Sequence, residues 1–205
     1  MRRTFQLAFK YLFDRILSLI GLIILSPIFF IIWLTIKMKM PDGPVFFKQR
    51  RVGKSGITFT LIKFRTMFHL QNGSSVSVSG DSRITQLGAL LRRYKLDELP
   101  ELWNVLCGEM SFVGPRPDVP GYVDVLTGKD RDILRLRPGI TGPASLKYAN
   151  EEEILASISD PIRYNDEVIF PDKVKINLEY YHNHTFFGDL KLIIQTIFRN
   201  YENKD

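Results

Sequence analysis

The sequence has one cysteine and few histidines, which excludes several kinds of site. Because Cys107 is the only cysteine among 205 residues, no intrachain disulfide can form. His69, His182 and His184 have no cysteine partners at metal-ligand spacing and form no His-Glu-x-x-His pattern, so zinc chemistry is not expected. Glycine patterns of the Walker or dinucleotide-binding type are also missing. The position of Cys107 beside Leu106 predicts a packed thiol and not a nucleophile.

Length and charge limit the number of domains and the kinds of partner that the protein can have. A chain of 205 residues has room for one domain with a sizeable core. Its formal net charge of +6 suits anionic substrates or an anionic membrane surface. No nucleic-acid-binding motif accompanies this charge, so no nucleic-acid partner is expected.

One long apolar segment lies near the start of the chain. Residues 16–36 carry no charge and are long enough to cross a bilayer core of about 30 Å as one helix. Pro27 removes a helix hydrogen bond near the middle, and Ser26 can satisfy the freed backbone group, so we expect a bend. Basic residues on both flanks favour keeping both ends in the cytoplasm. A re-entrant pair of helices and a kinked spanning helix both stay open. The run is too long for a cleaved signal peptide.

A basic β-hairpin is predicted after this segment. Residues 45–47 and 57–65 have the composition of strands, and residues 53–56 have that of a turn. A solvated surface accounts for most of the basic residues here, but anionic headgroups or phosphates would also attract them. Residues 72–80, rich in serine and glycine, predict a surface loop that is either a connector or a lid.

Apolar spacing predicts four helices in the rest of the chain. They cover residues 82–94, a segment that starts at about Asp97, residues 122–134 and residues 190–198. In the second helix we expect an inward face made of Leu99, Leu102, Trp103 and Leu106. The last helix either packs on the core or lies in a membrane interface.

Two adjacent carboxylates, Asp97 and Glu98, lie between a basic cluster and a Pro-Arg-Pro loop. An aspartate at the start of a helix is far more often an N-cap than a catalyst. The basic residues upstream and Arg116 between two prolines downstream favour a site that binds phosphates, because a restricted backbone presents a guanidinium at low entropic cost. Arg137, which precedes Pro138, repeats this pattern, although pairing with an acidic neighbour would explain it equally well.

Several motifs in this order resemble those of one family, the small monotopic phosphoglycosyl transferases, which load a sugar phosphate onto a polyprenol phosphate. The resemblance covers nearly the whole chain. It rests on the apolar segment with Ser26-Pro27, Lys63-Phe64-Arg65-Thr66-Met67, Leu96-Asp97-Glu98-Leu99, Met110-Ser111-Phe112-Val113-Gly114-Pro115-Arg116-Pro117 and Arg137-Pro138-Gly139-Ile140-Thr141-Gly142. After Gly142 the chain departs from the better-known members, so the sugar is not predicted.

The resemblance implies an α/β, mostly α, monotopic membrane protein. It would have a re-entrant anchor helix over residues 1–40, and a small helical catalytic domain with a short β-hairpin over residues 41–205. The expected location is the cytoplasmic face of the bacterial inner membrane, in contact with membrane lipids. Whether the chain forms a homo-oligomer stays open.

The resemblance also implies the reaction and its residues. The donor would be a UDP-sugar, the acceptor undecaprenyl phosphate, and UMP the product released. The implied roles are catalysis and Mg²⁺ binding for Asp97 and Glu98, substrate binding for Lys63, Arg65, Arg92, Arg116 and Arg137, and the anchor bend for Ser26 and Pro27. Asp97 would be the nucleophile. Two other classes share some of these features: a membrane-anchored scaffold that binds anionic lipids, and a metal-dependent lipid phosphatase.

Overall fold

A computed structural model describes residues 2–68 and 82–202, and the side chains of residues 6–68 and 82–198. The loop expected at residues 72–80 and His69 lie outside the described residues. The helices are α1 (Arg2–Ile24), α2 (Ser26–Lys39), α3 (Gln86–Arg93), α4 (Glu101–Cys107), α5 (Pro143–Lys147), α6 (Glu151–Ala156), α7 (Pro161–Tyr164), α8 (Phe170–Asn183) and α9 (Phe186–Glu202). The strands are β1 (Phe46–Val52), β2 (Thr58–Phe64), β3 (Ser111–Val113) and β4 (Gly139–Thr141). The prediction of a mostly helical α/β fold with a short β-hairpin is confirmed.

The apolar N-terminal segment forms two helices that break at Leu25. In the described part of the chain, no single helix has the length and hydropathy of a membrane span, whereas residues 6–24 and 26–39 together do, with a bend of 61° between them. Pro27 has no N–H to donate to the carbonyl of Ile23. The Ser26 hydroxyl donates to that carbonyl instead, at 2.7 Å. The break therefore leaves the freed backbone group with a partner.

The hairpin forms where the sequence predicts it, although its first strand is longer than expected. β1 and β2 are antiparallel, with Phe46 opposite Phe64 and Val52 opposite Thr58. The inward side of β2 packs on the core through side chains that include Phe59. Ile57, the first residue of the predicted strand, is exposed because it lies in the turn before β2 begins.

The helix expected from Asp97 begins later. Residues 96–98 form a 3₁₀ turn, and α4 starts at Glu101 with Pro100 as its N-cap. Leu102 is buried as predicted, but Trp103 is 53% exposed, so that part of the predicted face is wrong. The buried side of α4 consists of Leu102 and Val105 together with two polar residues, Glu101 and Asn104. The Asn104 carboxamide accepts from the amide of Ile62 at 3.2 Å, and donates at 2.8 Å to the carbonyl of Thr60.

Two further predictions are wrong. Cys107 is exposed rather than packed, because α4 ends there and the chain turns away through Gly108 at φ +84°. Residues 122–134 do not form an α-helix: they contain the 3₁₀ segments Val123–Val125 and Gly128–Arg135. Extended backbone at Thr127 and a positive φ at Gly128 separate the two segments.

Two short parallel strands bring the Pro-Arg-Pro loop beside the loop that starts at Arg137. Ser111 pairs with Gly139, and Val113 with Thr141. Gly114 makes this approach possible, because a Cβ there would lie 2.4 Å from the carbonyl oxygen of Arg137. β3 is also tied to α1, since the Ser111 hydroxyl donates to the Asp14 carboxylate at 2.6 Å.

The last helix packs on the core with one side only, and its position in a membrane interface stays a prediction. Leu192 and Ile193 of α9 pack on the core, whereas Ile194 and Ile197 are exposed.

Candidate functional site

An open cavity of about 1870 Å³ extends from α2 to most of the predicted site residues. Trp33 and Lys37 of α2 line one part of it, and residues of α5 and α8 line another. Six predicted site residues are among its lining residues: Lys63, Arg65, Arg92, Asp97, Glu98 and Arg116. Arg137 is not one of the cavity-lining residues that the structure describes.

Glu98 is held by two cations. Lys63 Nζ donates to its Oε1 at 2.7 Å, and Arg116 Nη2 donates to the same oxygen at 2.8 Å. Lys63 comes from β2 and Arg116 from the Pro-Arg-Pro loop, so the carboxylate joins three separate parts of the chain. Burial favours the neutral acid, but Arg116 and Lys63 outweigh it and hold the pKa of Glu98 well below its usual value. Glu98 is therefore ionised and fixed in position.

Asp97 has a different environment, although it is the adjacent residue. Lys95, with left-handed backbone at φ 55°, turns the chain into the 96–98 turn. The Asp97 side chain is thereby directed inward, where the residue is 7% exposed. Its Oδ1 is buried without a hydrogen-bond partner among the described residues. Burial, followed by the neighbouring charge of Glu98, raises the pKa of Asp97.

The unpartnered Oδ1 of Asp97 is available to a ligand or a reaction partner. A buried acceptor without a donor costs about 1–3 kcal/mol, so such an atom is expected to meet a ligand. A poorly solvated carboxylate oxygen can attack an electrophilic phosphorus or bind a hard cation. Its exclusion from water also favours attack, because less solvation is lost on reaction.

A third carboxylate belongs to the same cluster. Glu101 is 2% exposed, and its Oε1 lies 3.2 Å from Lys63 Nζ. Burial raises the pKa of Glu101 to about 7, with Lys63 opposing the shift and Glu98 adding to it. Sequence reasoning missed this residue, because an acidic residue in the first turn of a helix is common and carries no sign of burial.

The arginines divide between the cavity and the scaffold. Arg65 is buried, where its Nη1 lies 3.0 Å from Asp42 Oδ1 and its Nη2 donates to the carbonyl of Met40. It therefore joins the end of α2 to the hairpin. Arg92 at the end of α3 faces Glu152, with 3.4 Å between Nη1 and Oε1.

Arg137 lies against the N-terminal helix α1. Its guanidinium carbon is 4.0 Å from the ring centroid of Tyr11 in α1, a cation–π contact. The structure thus separates Arg137 from the carboxylate cluster with which the sequence grouped it. Its Nη1 is buried without a hydrogen-bond partner in the described part of the chain.

The acidic pair is compatible with Mg²⁺. Among the described residues, no group of three or more His, Cys, Asp or Glu side chains is placed to hold a metal. Magnesium sites that act on phosphates commonly use one or two carboxylates and complete the shell with substrate and water. The unpartnered Oδ1 of Asp97 suits such a site.

Comparison with known proteins agrees with the motifs. A sequence model described as bacterial sugar transferase matches residues 5–203. The chain is 31% identical to the exopolysaccharide production protein ExoY of Sinorhizobium fredii NGR234, over 92% of this chain and 83% of that protein.

Two relatives have names that state a reaction. The chain is 35% identical to the UDP-glucose:undecaprenyl-phosphate glucose-1-phosphate transferase of Xanthomonas campestris, over 97% of this chain and 40% of that enzyme. It is 33% identical to the UDP-N-acetylgalactosamine-undecaprenyl-phosphate N-acetylgalactosaminephosphotransferase of Aeromonas hydrophila, over 90% of this chain and 41% of that enzyme. The chain thus spans less than half of these two longer relatives. Because the family match covers nearly all of its residues, the chain belongs to the bacterial sugar transferase family.

Proposed function

We propose that this protein transfers a sugar 1-phosphate from a UDP-sugar to undecaprenyl phosphate and releases UMP. The observation that supports this most is the buried, unpartnered Oδ1 of Asp97 beside Glu98, which two cations hold in place. The names of the relatives point to the same donor and acceptor classes. A scaffold protein would have no need to bury a carboxylate oxygen without a partner.

The proposed reaction has two displacements at one phosphorus. In the first, Asp97 attacks the phosphorus next to the sugar, and the bond from that phosphorus to the UMP oxygen breaks with its electron pair going to UMP. The phosphosugar is then bound to Asp97 as an acyl phosphate. In the second, a phosphate oxygen of the lipid attacks the same phosphorus and the bond to Asp97 breaks. Polyprenyl diphosphate sugar leaves, and the carboxylate of Asp97 is restored.

The other residues position groups and balance charge. Lys63 and Arg116 lie beside Glu98 and would face the diphosphate, where Arg116 can use its remaining N–H groups. Asp97 and Glu98 would hold Mg²⁺, which offsets diphosphate charge and helps UMP to leave. Whether Glu98 mainly binds the metal or handles a proton of the acceptor stays open.

The membrane arrangement is part of the same proposal. The bent pair α1–α2 would enter one leaflet and return, with both ends at the cytoplasmic face of the inner membrane. Exposed apolar side chains on both helices, among them Ile23, Ile24 and Ile31, suit a lipid environment. The cavity reaches from α2 to Asp97, so a lipid phosphate could approach the site from the membrane side.

A transfer assay tests the reaction. Purified protein is incubated with Mg²⁺, undecaprenyl phosphate and each of several UDP-sugars, and UMP and lipid-linked sugar are measured. The proposal predicts equal amounts of both products with at least one donor. Free inorganic phosphate would instead indicate a lipid phosphatase, and the absence of any product would favour a scaffold.

An exchange experiment tests the covalent step separately. Without lipid acceptor, the first displacement is reversible, so labelled UMP should enter the UDP-sugar pool. Transfer without such exchange would favour direct attack by the lipid phosphate and would remove the aspartyl intermediate from the proposal.

A further inference from the structure

Two polar side chains in the wall of the cavity lack hydrogen-bond partners among the described residues. Asn177 of α8 is 7% exposed, and its Oδ1 is buried without a donor. The hydroxyl oxygen of Ser145 in α5 is also buried without a hydrogen-bond partner in this part of the chain. Both residues line the cavity that contains Asp97, and α5 packs against α8.

Neither unpartnered atom forms a hydrogen bond within the described part of the chain. Ala144, next to Ser145, and Val174, one helical turn before Asn177, are apolar and buried, and both also line the cavity. A carboxamide in such surroundings costs stability unless it forms hydrogen bonds, whereas an apolar residue would not. A ligand that supplies these hydrogen bonds would remove that cost, so the pair is suited to binding.

The charges near this part of the cavity favour a neutral ligand group. Lys173 Nζ lies 2.6 Å from Glu151 Oε2, and Lys147 Nζ lies 2.6 Å from Asp172 Oδ2. These cations already face carboxylates, while Lys63 and Arg116 lie at the reactive carboxylates. Because the proposed nucleophile must reach the phosphorus, the diphosphate lies beside Asp97, and an uncharged part of the same substrate is left for the region of Asn177.

We propose that Asn177 and Ser145 form a subsite that hydrogen-bonds an uncharged part of the nucleotide-sugar donor. A carboxamide offers both a donor and an acceptor, and a hydroxyl offers the same. Together they match either the hydroxyl and amide groups of a sugar or the imide edge of uracil. This inference rests on the proposed function, because it assumes a UDP-sugar in the cavity.

The test compares Asn177→Ala and Ser145→Ala with Asn183→Ala, a control at the exposed end of the same helix α8. For each variant we would measure kcat and KM for the UDP-sugar, inhibition by UMP, and Tm. Loss of a hydrogen bond to a neutral group should raise the donor KM by roughly three- to tenfold. The Tm should stay near that of the wild type, since no protein hydrogen bond is removed.

The UMP measurements separate the two sources of the ligand group. If the inhibition constant of UMP rises as much as the donor KM, the subsite binds uracil. If the KM rises while UMP inhibition is unchanged, it binds the sugar, and the relative KM values of different UDP-sugars should change. Both results support the subsite.

Other results overturn the inference. If wild-type protein transfers sugar phosphate but neither variant changes the KM or UMP inhibition, the subsite is wrong while the proposed function stands. If Asn177→Ala does not fold, Ser145→Ala decides alone by the same criteria. If the wild type transfers nothing from any UDP-sugar, the proposed function fails and the subsite fails with it.

Discussion

Asp97 and Glu98 are adjacent residues with opposite environments. Two cations contact Glu98, whereas the Oδ1 of Asp97 has no partner among the described residues. The pKa of Glu98 is lowered and that of Asp97 raised, so the two acids are not interchangeable. Glu98 is an anion held in place, and Asp97 has a carboxylate oxygen without a partner. This difference suits a division of roles in which Glu98 organises the site and Asp97 reacts.

Replacement of Asp97 by Asn tests this division. An amide is neither an effective nucleophile toward phosphorus nor a good magnesium ligand, so turnover should fall by several orders of magnitude. Transfer of sugar phosphate to lipid is the measurement, and Asp130→Asn at an exposed position is the matched control. Retention of more than about a tenth of wild-type activity, a change below ~1.4 kcal/mol in barrier, would eliminate Asp97 as nucleophile.

Glu101 should make stability depend on pH. Its pKa is raised from 4.5 to about 7 because it is buried, so the folded protein holds its proton more tightly than the unfolded chain does. Its contribution to stability is therefore complete below the unfolded pKa and declines as pH rises through the folded pKa. The side chain of the Glu101→Gln variant cannot ionise, so the stability of this variant should not show this decline with pH.

The measurement is urea unfolding of both proteins in micelles, without divalent cations, from about pH 5 to about pH 8. Relative to Glu101→Gln, the wild type should lose on the order of 2 kcal/mol over this range. Glu179→Gln, at an exposed position of α8, should show no such trend. Parallel pH profiles for wild type and Glu101→Gln would show that Glu101 does not titrate in this window.

The cluster could be predicted from sequence only where a local motif marks it. Asp97, Glu98 and Arg116 stand out because adjacent acids and a Pro-Arg-Pro loop are unusual patterns. Glu101 and Asn177 do not stand out, because their burial depends on contacts with residues far along the chain. Sequence spacing cannot show which polar residue a distant strand or helix will cover.

At the level of elements, predictability follows the range of the interactions that form each one. The hairpin and the break at Leu25 depend on turn residues and on Pro27, which act on their immediate neighbours. The start of α4 and the 3₁₀ segments of residues 122–134 depend on tertiary packing, and the periodicity of apolar residues does not determine them. In α4, Glu101 and Asn104 are buried although they are polar, whereas Trp103 is exposed although the apolar pattern placed it inward.

Labelling of single cysteines tests the proposed re-entrant orientation of the bent pair α1–α2. If the pair re-enters one leaflet, residues near both of its ends lie in the cytoplasm. Gln6→Cys and Met38→Cys, both at exposed positions and each in a Cys107→Ser background, report on the two ends. Both sites should resist an impermeant thiol reagent in intact cells and react after lysis.

A periplasmic protein with an exposed cysteine serves as the positive control for labelling in intact cells. Reaction at only one of the two sites before lysis would show that the segment spans the bilayer.

At the scale of the whole molecule, a buried network joins α1 to α8, α9 and the strand that leads into the loop with Arg116. Lys10 of α1 donates to Asp189 Oδ2 of α9 at 2.6 Å, and the hydroxyl of Tyr180 in α8 donates to Asp189 Oδ1 at 2.6 Å. The side chains of Lys10 and Asp189 are each 7% exposed. Tyr180 also packs on Val113 of β3, the strand that leads into the loop with Arg116. The expected boundary between two domains at residue 40 stays a prediction, although the contact between Lys10 and Asp189 joins residues on either side of it.

This network should matter far more than an ion pair at the surface. Removal of one partner leaves the other charge buried and unpaired, which costs about 3–5 kcal/mol, whereas an exposed pair is worth below about 1 kcal/mol. For a protein of this length, Lys10→Met or Asp189→Asn should therefore lower Tm by roughly 10 °C. Glu167→Gln, which breaks the exposed pair with Arg163, should lower it by no more than a few degrees.

The double variant Lys10→Met/Asp189→Asn tests whether the two residues are energetically coupled or contribute to Tm independently. Because neither charge of this pair is left without its partner, the Tm of the double variant should lie clearly above the value expected from adding the two single losses. Additive losses would mean that the residues act independently of each other. If the single variants behave like Glu167→Gln, the Lys10–Asp189 pair does not hold α1 in place. In the coupled case, both single variants should also lose transfer activity below their Tm, because the Asp97 site would no longer be held at a fixed position relative to the anchor.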